Sequence, residues 1–226
     1  IARSMPTSAA SDRVAQKLGI GSFETPTGWK FFGNLLDAGK VTICGEESAG
    51  TGSNHVREKD GLWAVLLWLN ILAVRKLSVT QLVCDHWQTY GRDYYSRYDF
   101  EGVATDQANQ LMDGLRRQLP DLAGQFHAGL RVAMADEFSY LDPVDGSVSR
   151  NQGLRIAFEG GGRAVFRLSG TGTQGATVRI YLEQYSGLHG DVQRDPQTAL
   201  QTVRDAAFAI SDLQATIGRV EPDVIT

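Results

Sequence analysis

The residues of this 226-residue chain that could do chemistry gather in two glycine-containing stretches. The first, "CGEESAGTGSNHVREKDGLWA", Cys44 to Ala64, sets Glu46, Glu47 and Ser48 shortly before His55, Arg57 and Lys59. A carboxylate can accept two hydrogen bonds from neighbouring sugar hydroxyls, and a serine beside it can accept or donate a third, so this set suits a polyol. The plainer alternative is a surface pairing of Glu46 or Glu47 with Arg57 or Lys59, worth at most about 1 kcal/mol. His55 reads as an ordinary loop residue, because the sequence shows no partner for it. Gly50 and Gly52 begin a GxG, but His55 stands where a dinucleotide fingerprint needs its third glycine.

The second stretch is "RLSGTGTQGATVR", Arg167 to Arg179. If Ser169 to Ala176 connect two antiparallel strands, pairing across the hairpin brings Arg167 and Arg179 together at its mouth. Like charges facing each other are unfavourable unless an anion lies between them. Ser169, Thr171 and Thr173 add hydroxyl donors, while Gly170, Gly172 and Gly175 let backbone N–H groups converge on one point. Two guanidiniums with these donors around a concavity form a phosphate clamp. A glycine-rich hairpin carrying two solvated arginines is the alternative. A nucleotide P-loop is excluded: Ala176 stands at the lysine position, and a strand rather than a helix follows.

The elements that must position these stretches are legible as patterns. "GSFET" and "KVTIC" read as strands flanking the helix "GWKFFGNLLDAG", capped by Thr25 or Thr27, with Phe31, Phe32, Leu35 and Leu36 as its apolar stripe. That is a βαβ unit with parallel strands, and it sets the first stretch just past a strand's carboxyl end, where such sheets hold ligands. Asp60 can cap "GLWAVLLWLNILAVRKL", which is apolar nearly all round and is expected deep between layers. Its apolar run, Leu62 to Val74, is ~13 residues against the ~20 that span a bilayer. Ser78 can cap "VTQLVCDHWQTYG", and "RDYYSRYDFEGV" reads as a linker. A polar helix around "DQANQLMDGLRRQL" follows, then strands "LRVAMADEFSYL", "LRIAFEG", "RAVFRLS" and "TVRIYLEQY" in an antiparallel sheet. Leu200, Val203, Ala207, Ile210, Leu213 and Ile217 form one helical stripe, stopped by Gly218, that should cover a face of that sheet. The fold class is therefore α/β plus α+β: an incomplete βαβ domain over residues 1–90, then an antiparallel sheet packed with helices over residues 91–226.

Hydrophobic content of 42% and charged content of 21% are those of a globular protein. A net charge of −4 offers no general attraction for nucleic acid or an anionic membrane, so an anion site must be a local basic pocket for a small ligand. Cys44 and Cys84 fit neither a zinc spacing nor a disulfide framework, and read as reduced thiols of a cytoplasmic protein. The amino terminus shows no apolar leader segment. One stretch made for hydroxyls and another made for phosphate together point to a sugar phosphate.

At these residues a resemblance becomes specific. "TPTGWKFFGNL", "CGEESAGTGSNHVREKDGLWA" and "RLSGTGTQGATVRIY", in that order, with "ARSMPTS" before them and "VIT" at the end, closely resemble the carboxyl-terminal part of the phosphoglucomutases, a family of the α-D-phosphohexomutase superfamily. The resemblance implies a four-domain enzyme that interconverts glucose 1-phosphate and glucose 6-phosphate through bound glucose 1,6-bisphosphate, with magnesium as cofactor. It implies that Glu46 and Ser48 take sugar hydroxyls, that Thr27 and Gly28 lie beside the ligand, and that Lys59 reaches the substrate as a proton-transfer group. Arg167, Ser169, Gly170, Thr171, Thr173 and Arg179 would form the phosphate-binding loop. The family's phosphorylatable serine and its magnesium loop lie in motifs that these residues do not contain, and Asp12-Arg13 does not replace three clustered carboxylates. The resemblance thus implies no metal ligands in this chain, amino-terminal domains as partners, no catalysis by these residues alone, and a third domain lacking its first strand and helix. A noncatalytic sugar-phosphate-binding or scaffold protein is the competing reading, and another hexose preference a third.

Overall fold

The computed structural model describes residues 1–172 and 175–226. They form two compact units: Ile1–Arg92 with Tyr140–Ser149 and Gly187–Val192, and Asp93–Ser139 with Arg150–Ser186 and Gln193–Thr226.

The first unit holds β1 (Ala2–Ser4), α1 (Ala10–Leu18), β2 (Phe23–Thr25), α2 (Trp29–Asp37), β3 (Ile43–Gly45), β4 (Thr51–Ser53), α3 (Gly61–Arg75) and α4 (Val79–Tyr90). Its sheet runs β2-β1-β3-β4, parallel from β2 to β3, with β4 returning antiparallel. The strands read as "GSFET" and "KVTIC" are therefore parallel but not adjacent, because β1 lies between them. Neither β1 nor α1 was expected, since "ARS" carries no apolar alternation. Arg3 can be buried there because Asp12 (2.6 Å) and Glu24 (3.0 Å) both meet its guanidinium. The α2 stripe behaves as its spacing predicts: Phe32, Leu35 and Leu36 pack with Ala2, Val41 and Cys44. Its amino terminus differs from expectation. Gly28 occupies the cap position with no side-chain cap, and Thr25 instead donates its hydroxyl to the Pro26 carbonyl.

The expectation that α3 is buried is wrong for these residues. Leu62 is 79% exposed, Leu66 65% and Val74 72%, and no residue of α3 is buried. Apolarity all round shows that a helix favours cover, but it does not supply the covering layer, and no described residue does so here. Asp60 caps α3 as predicted, accepting from the Trp63 N–H, and Ser78 and Gln81 close a capping box on α4. The two helices meet at 85°, and among the described residues no single helix is long and apolar enough to cross a membrane. In the same unit β8 (Tyr140–Leu141) and β9 (Val148–Ser149) form a short hairpin. Its Asp142 and Asp145 carboxylates both accept from Asn34 of α2. The run "LRVAMADEFSYL" is thus two strands, not one.

The second unit is a seven-stranded sheet, ordered β13-β5-β12-β11-β10-β7-β6. Its strands are β5 (Arg92–Val103), β6 (Phe126–His127), β7 (Leu130–Glu137), β10 (Leu154–Phe158), β11 (Gly162–Gly172), β12 (Gly175–Ser186) and β13 (Val224–Ile225). Packed with it are α5 (Thr105–Leu122), α6 (Pro196–Ser211) and α7 (Leu213–Ile217). The predicted linker is β5, a 12-residue strand within the sheet. Its Tyr94, Tyr98 and Phe100 join the core, and the charged residues that disguised it, Arg97 and Asp99, pair with each other on the opposite face. Alternation decides the faces of β12 as well. Ala176, Val178, Ile180 and Leu182 enter the core, while Thr177, Arg179, Tyr181 and Glu183 take the other side. Each fully buried Leu or Phe of this core contributes about 1.5–3 kcal/mol. The last stripe is buried as expected, but in two helices, because Asp212 adopts φ +48° and breaks the run.

Candidate functional site

In the first unit the site is built on the carboxyl end of β3. The chain leaves Gly45 and closes a tight turn in which the Glu46 N–H donates to the Gly50 carbonyl at 2.7 Å. That turn directs the Glu46 side chain inward, where only 3% of it is exposed. One carboxylate oxygen accepts from the Gly28 N–H at 2.8 Å, and the other meets the Lys59 ammonium at 2.6 Å. Glu46 therefore ties the "TPTG" turn to the "REKDG" segment. Two glycines make room for this. A Cβ on Gly50 would come within 2.9 Å of the Lys59 chain, and one on Gly52 within 2.9 Å of the Trp29 ring. Lys59 stays about half exposed, and its ammonium lies 5.9 Å from the centroid of Trp29.

The structure brings Thr27, Gly28, Glu46 and Lys59 together, whereas Ser48 lies exposed in the turn. The Thr27 hydroxyl and the Trp29 indole N–H are both buried and hydrogen-bonded to nothing among the described residues. A buried polar atom without a partner costs about 1–3 kcal/mol, so these two are unspent binding capacity beside Glu46. Trp29 was missed by sequence reasoning; its place directly after "TPTG" was the available signal. Of the surface pairings considered, Glu46 with Lys59 forms, but around a buried carboxylate, and Arg57 turns away to Asp37. Burial pushes the Cys44 thiol up to about 11, so it remains a protonated core residue rather than a nucleophile.

His55 does have a partner. Its Nε2 lies 2.8 Å from Asp60, and its ring stacks on Trp63 at 5.7 Å. Asp60 thus holds the histidine and caps α3 at once, and the His55 bond, followed by the Trp63 N–H, lowers its pKa. Because the folded value lies below the unfolded one, the stabilisation is present above the usual carboxylate range and is lost as pH falls through the folded value. Asp60→Asn should lower the thermal midpoint at neutral pH, with the difference shrinking as pH drops below about 4, when melting curves are compared across pH.

In the second unit the β11–β12 ladder runs further than expected. Ser169 pairs with Thr177 and Gly172 with Gly175, so most of the presumed connection is strand. Within the ladder Arg167 stands directly opposite Arg179, as the spacing predicts. Ser169 lies two residues beyond Arg167 on the same face, and Gly170 takes φ +62°, which bends the strand. Thr171 is placed by its backbone, in β11, and Thr173 lies outside the described residues. Arg179 lies 3.6 Å from the buried Asp99 carboxylate, whereas Arg167 has only the Tyr181 hydroxyl, 3.4 Å away, among the described residues. Arg179 shares Asp99 with Arg97, and Arg167 meets no carboxylate among the described residues, which leaves an excess of positive charge at the hairpin. A cavity of about 170 Å³ opens beside Arg167, lined in part by Asn109, Asn151 and Gln152.

No group of three or more metal-ligating side chains exists among the described residues. The donors at hand do not fit the magnesium site that the resemblance implies.

A mixed α/β sheet with acceptors at a strand end is thus followed by an antiparallel sheet with an arginine-flanked hairpin. Residues 1–90 match the family model "Phosphoglucomutase/phosphomannomutase, alpha/beta/alpha domain III", and residues 92–223 match "Phosphoglucomutase-1, C-terminal domain". The chain belongs to the phosphoglucomutase family and comprises its two carboxyl-terminal domains. It is 62% identical, over its whole length, to a phosphoglucomutase of Rhizobium radiobacter, of which it covers 42%. It is 54% identical to "Phosphoglucomutase, cytoplasmic" of Mesembryanthemum crystallinum, again covering 42%. The crystal structure of the exocytosis-sensitive phosphoprotein parafusin from Paramecium, in its open form, superposes with a TM-score of 0.90 at 52% identity, over 100% of this chain and 39% of that one. The chain thus spans about two fifths of the length of the relatives it matches.

Proposed function

We propose that this chain is the substrate-binding portion of a cytoplasmic phosphoglucomutase that interconverts glucose 1-phosphate and glucose 6-phosphate through glucose 1,6-bisphosphate. Residues 1–90 supply the sugar loop and residues 91–226 the phosphate loop. The observation that carries the reading is the in-register pair Arg167 and Arg179, like charges opposite one another, of which only Arg179 has a carboxylate, Asp99 of the neighbouring strand, close by among the described residues. Such a pair is favourable only with an anion present.

Arg167 and Arg179, with Ser169, Gly170, Thr171 and Thr173, grip the phosphate remote from the reacting one. Glu46 and Ser48 accept sugar hydroxyls, Thr27 and Gly28 line the ring, and Lys59 moves the proton at the reacting oxygen. Glu46 supports this assignment because both its oxygens are oriented by fixed donors and still have lone pairs to offer. The bisphosphate must turn over between half-reactions, so each loop accepts either orientation. Phosphoryl transfer also needs the serine loop and the magnesium loop, which supply the phosphoryl group and neutralise its charge. Those motifs do not occur in this sequence, so the amino-terminal domains are the partner the reaction requires. Incubating the 226-residue chain with glucose 1-phosphate and catalytic glucose 1,6-bisphosphate should yield no glucose 6-phosphate in a coupled assay. Turnover by this chain would overturn the division of labour.

A further inference from the structure

The non-core face of the β11–β12 hairpin carries two arginines of β11, each opposite a charged residue of β12. Arg163 faces Glu183, and the two close an ion pair at 2.6 Å with 15% and 4% of their side chains exposed. Four residues along, Arg167 faces Arg179. The first pair is complete within the ladder and the second is not. The missing carboxylate comes from the neighbouring strand: Asp99 of β5, with 4% of its side chain exposed, lies 3.6 Å from Arg179 and 3.0 Å from Arg97. The Arg179 Nε is buried and makes no hydrogen bond among the described residues, so Asp99 acts on it through charge.

We propose that Asp99 is a positioning residue of the phosphate clamp, holding Arg179 opposite Arg167 before the anion arrives. This rests on the clamp reading given above. Without the carboxylate, Arg179 would face Arg167 with no counter-charge of its own among the described residues, and its guanidinium would be driven toward solvent. Binding would then have to restore the placement that Asp99 maintains, which lowers affinity even though a negative charge has been removed. Asp99 itself touches no ligand. It also keeps the free site from carrying the full repulsion of its arginines, which lets a basic pocket persist in a folded sheet.

The test is a titration of the full chain with inorganic phosphate, in the parent, Asp99→Asn, Arg179→Ala, the double variant, and Glu183→Gln as a control. Asp99→Asn should weaken phosphate about tenfold in the parent and not at all in the Arg179→Ala background, because the two act through one guanidinium. Glu183→Gln should lower the thermal midpoint while leaving phosphate affinity unchanged. If Asp99→Asn binds like the parent while Arg179→Ala does not, the positioning role is wrong and the clamp stands. Equal weakening in both backgrounds, or by Glu183→Gln, makes the effect a general loosening of the sheet and also overturns the proposal. If Arg179→Ala itself binds like the parent, the clamp reading fails and takes this one with it. Should Asp99→Asn not fold, ¹⁵N relaxation of arginine Nε–H groups in the phosphate-free parent decides the matter. Arg179 should then be as ordered as Arg163, and an Arg179 that averages freely contradicts the proposal.

Discussion

Replacing Arg167 and Arg179 together by alanine is expected to remove measurable binding of glucose 1,6-bisphosphate by the chain, and each single replacement to weaken it by about 10- to 100-fold. The magnitude follows from the contacts at stake. A hydrogen bond to a charged group contributes about 1.5–3 kcal/mol, and about 1.4 kcal/mol is a factor of ten. The ladder places the two side chains directly opposite each other on one face, so one phosphate can engage both. Arg167 should be the more sensitive position: its guanidinium has no carboxylate among the described residues, whereas Arg179 is already partly neutralised by Asp99. Neither arginine belongs to the apolar core. Calorimetric titration with an intact thermal transition reads the result, and unchanged affinity in the double variant would remove the clamp.

The second large effect is expected at Glu46. Glu46→Gln puts an amide N–H₂ where the Gly28 N–H or the Lys59 ammonium now donates. Donor then faces donor in a buried position, at a cost of about 1–3 kcal/mol. The turn and Lys59 lose their reference point, while the hairpin arginines of the second unit are unchanged. Affinity for glucose 1,6-bisphosphate should therefore fall about tenfold or more, and affinity for inorganic phosphate should stay as it was. Equal weakening of both ligands would take Glu46 out of sugar recognition.

How much of this could be read from residues alone depended on which physical signal each element carries. The α2 stripe and the arginine register were legible because Phe32, Leu35 and Leu36 follow a helical period, and Arg167 and Arg179 are symmetric about a hairpin. β5 was not, because its outward residues, Arg97 and Asp99, look like solvated charges until the sheet shows them pairing with each other. The same misreading hid Asp99 from the candidate site. β1 escaped for a related reason: its Arg3 is buried by carboxylates that only the fold brings near. The α3 error is of another kind. Its apolar sequence was read as buried, and none of its residues is buried, because composition alone does not supply a neighbouring layer. At the site, the types and spacing of Glu46 and Lys59 were visible, but that they join around a buried carboxylate, with the Lys59 chain lying against Gly50, was not.

The most direct measurement is an equilibrium titration of the unaltered 226-residue chain with glucose 1,6-bisphosphate, beside inorganic phosphate and glucose. If one set of residues takes sugar hydroxyls and another takes phosphate, the bisphosphate should bind saturably with unit stoichiometry, at least about tenfold tighter than inorganic phosphate, with glucose weakest. A bisphosphate that binds no more tightly than inorganic phosphate would contradict the account.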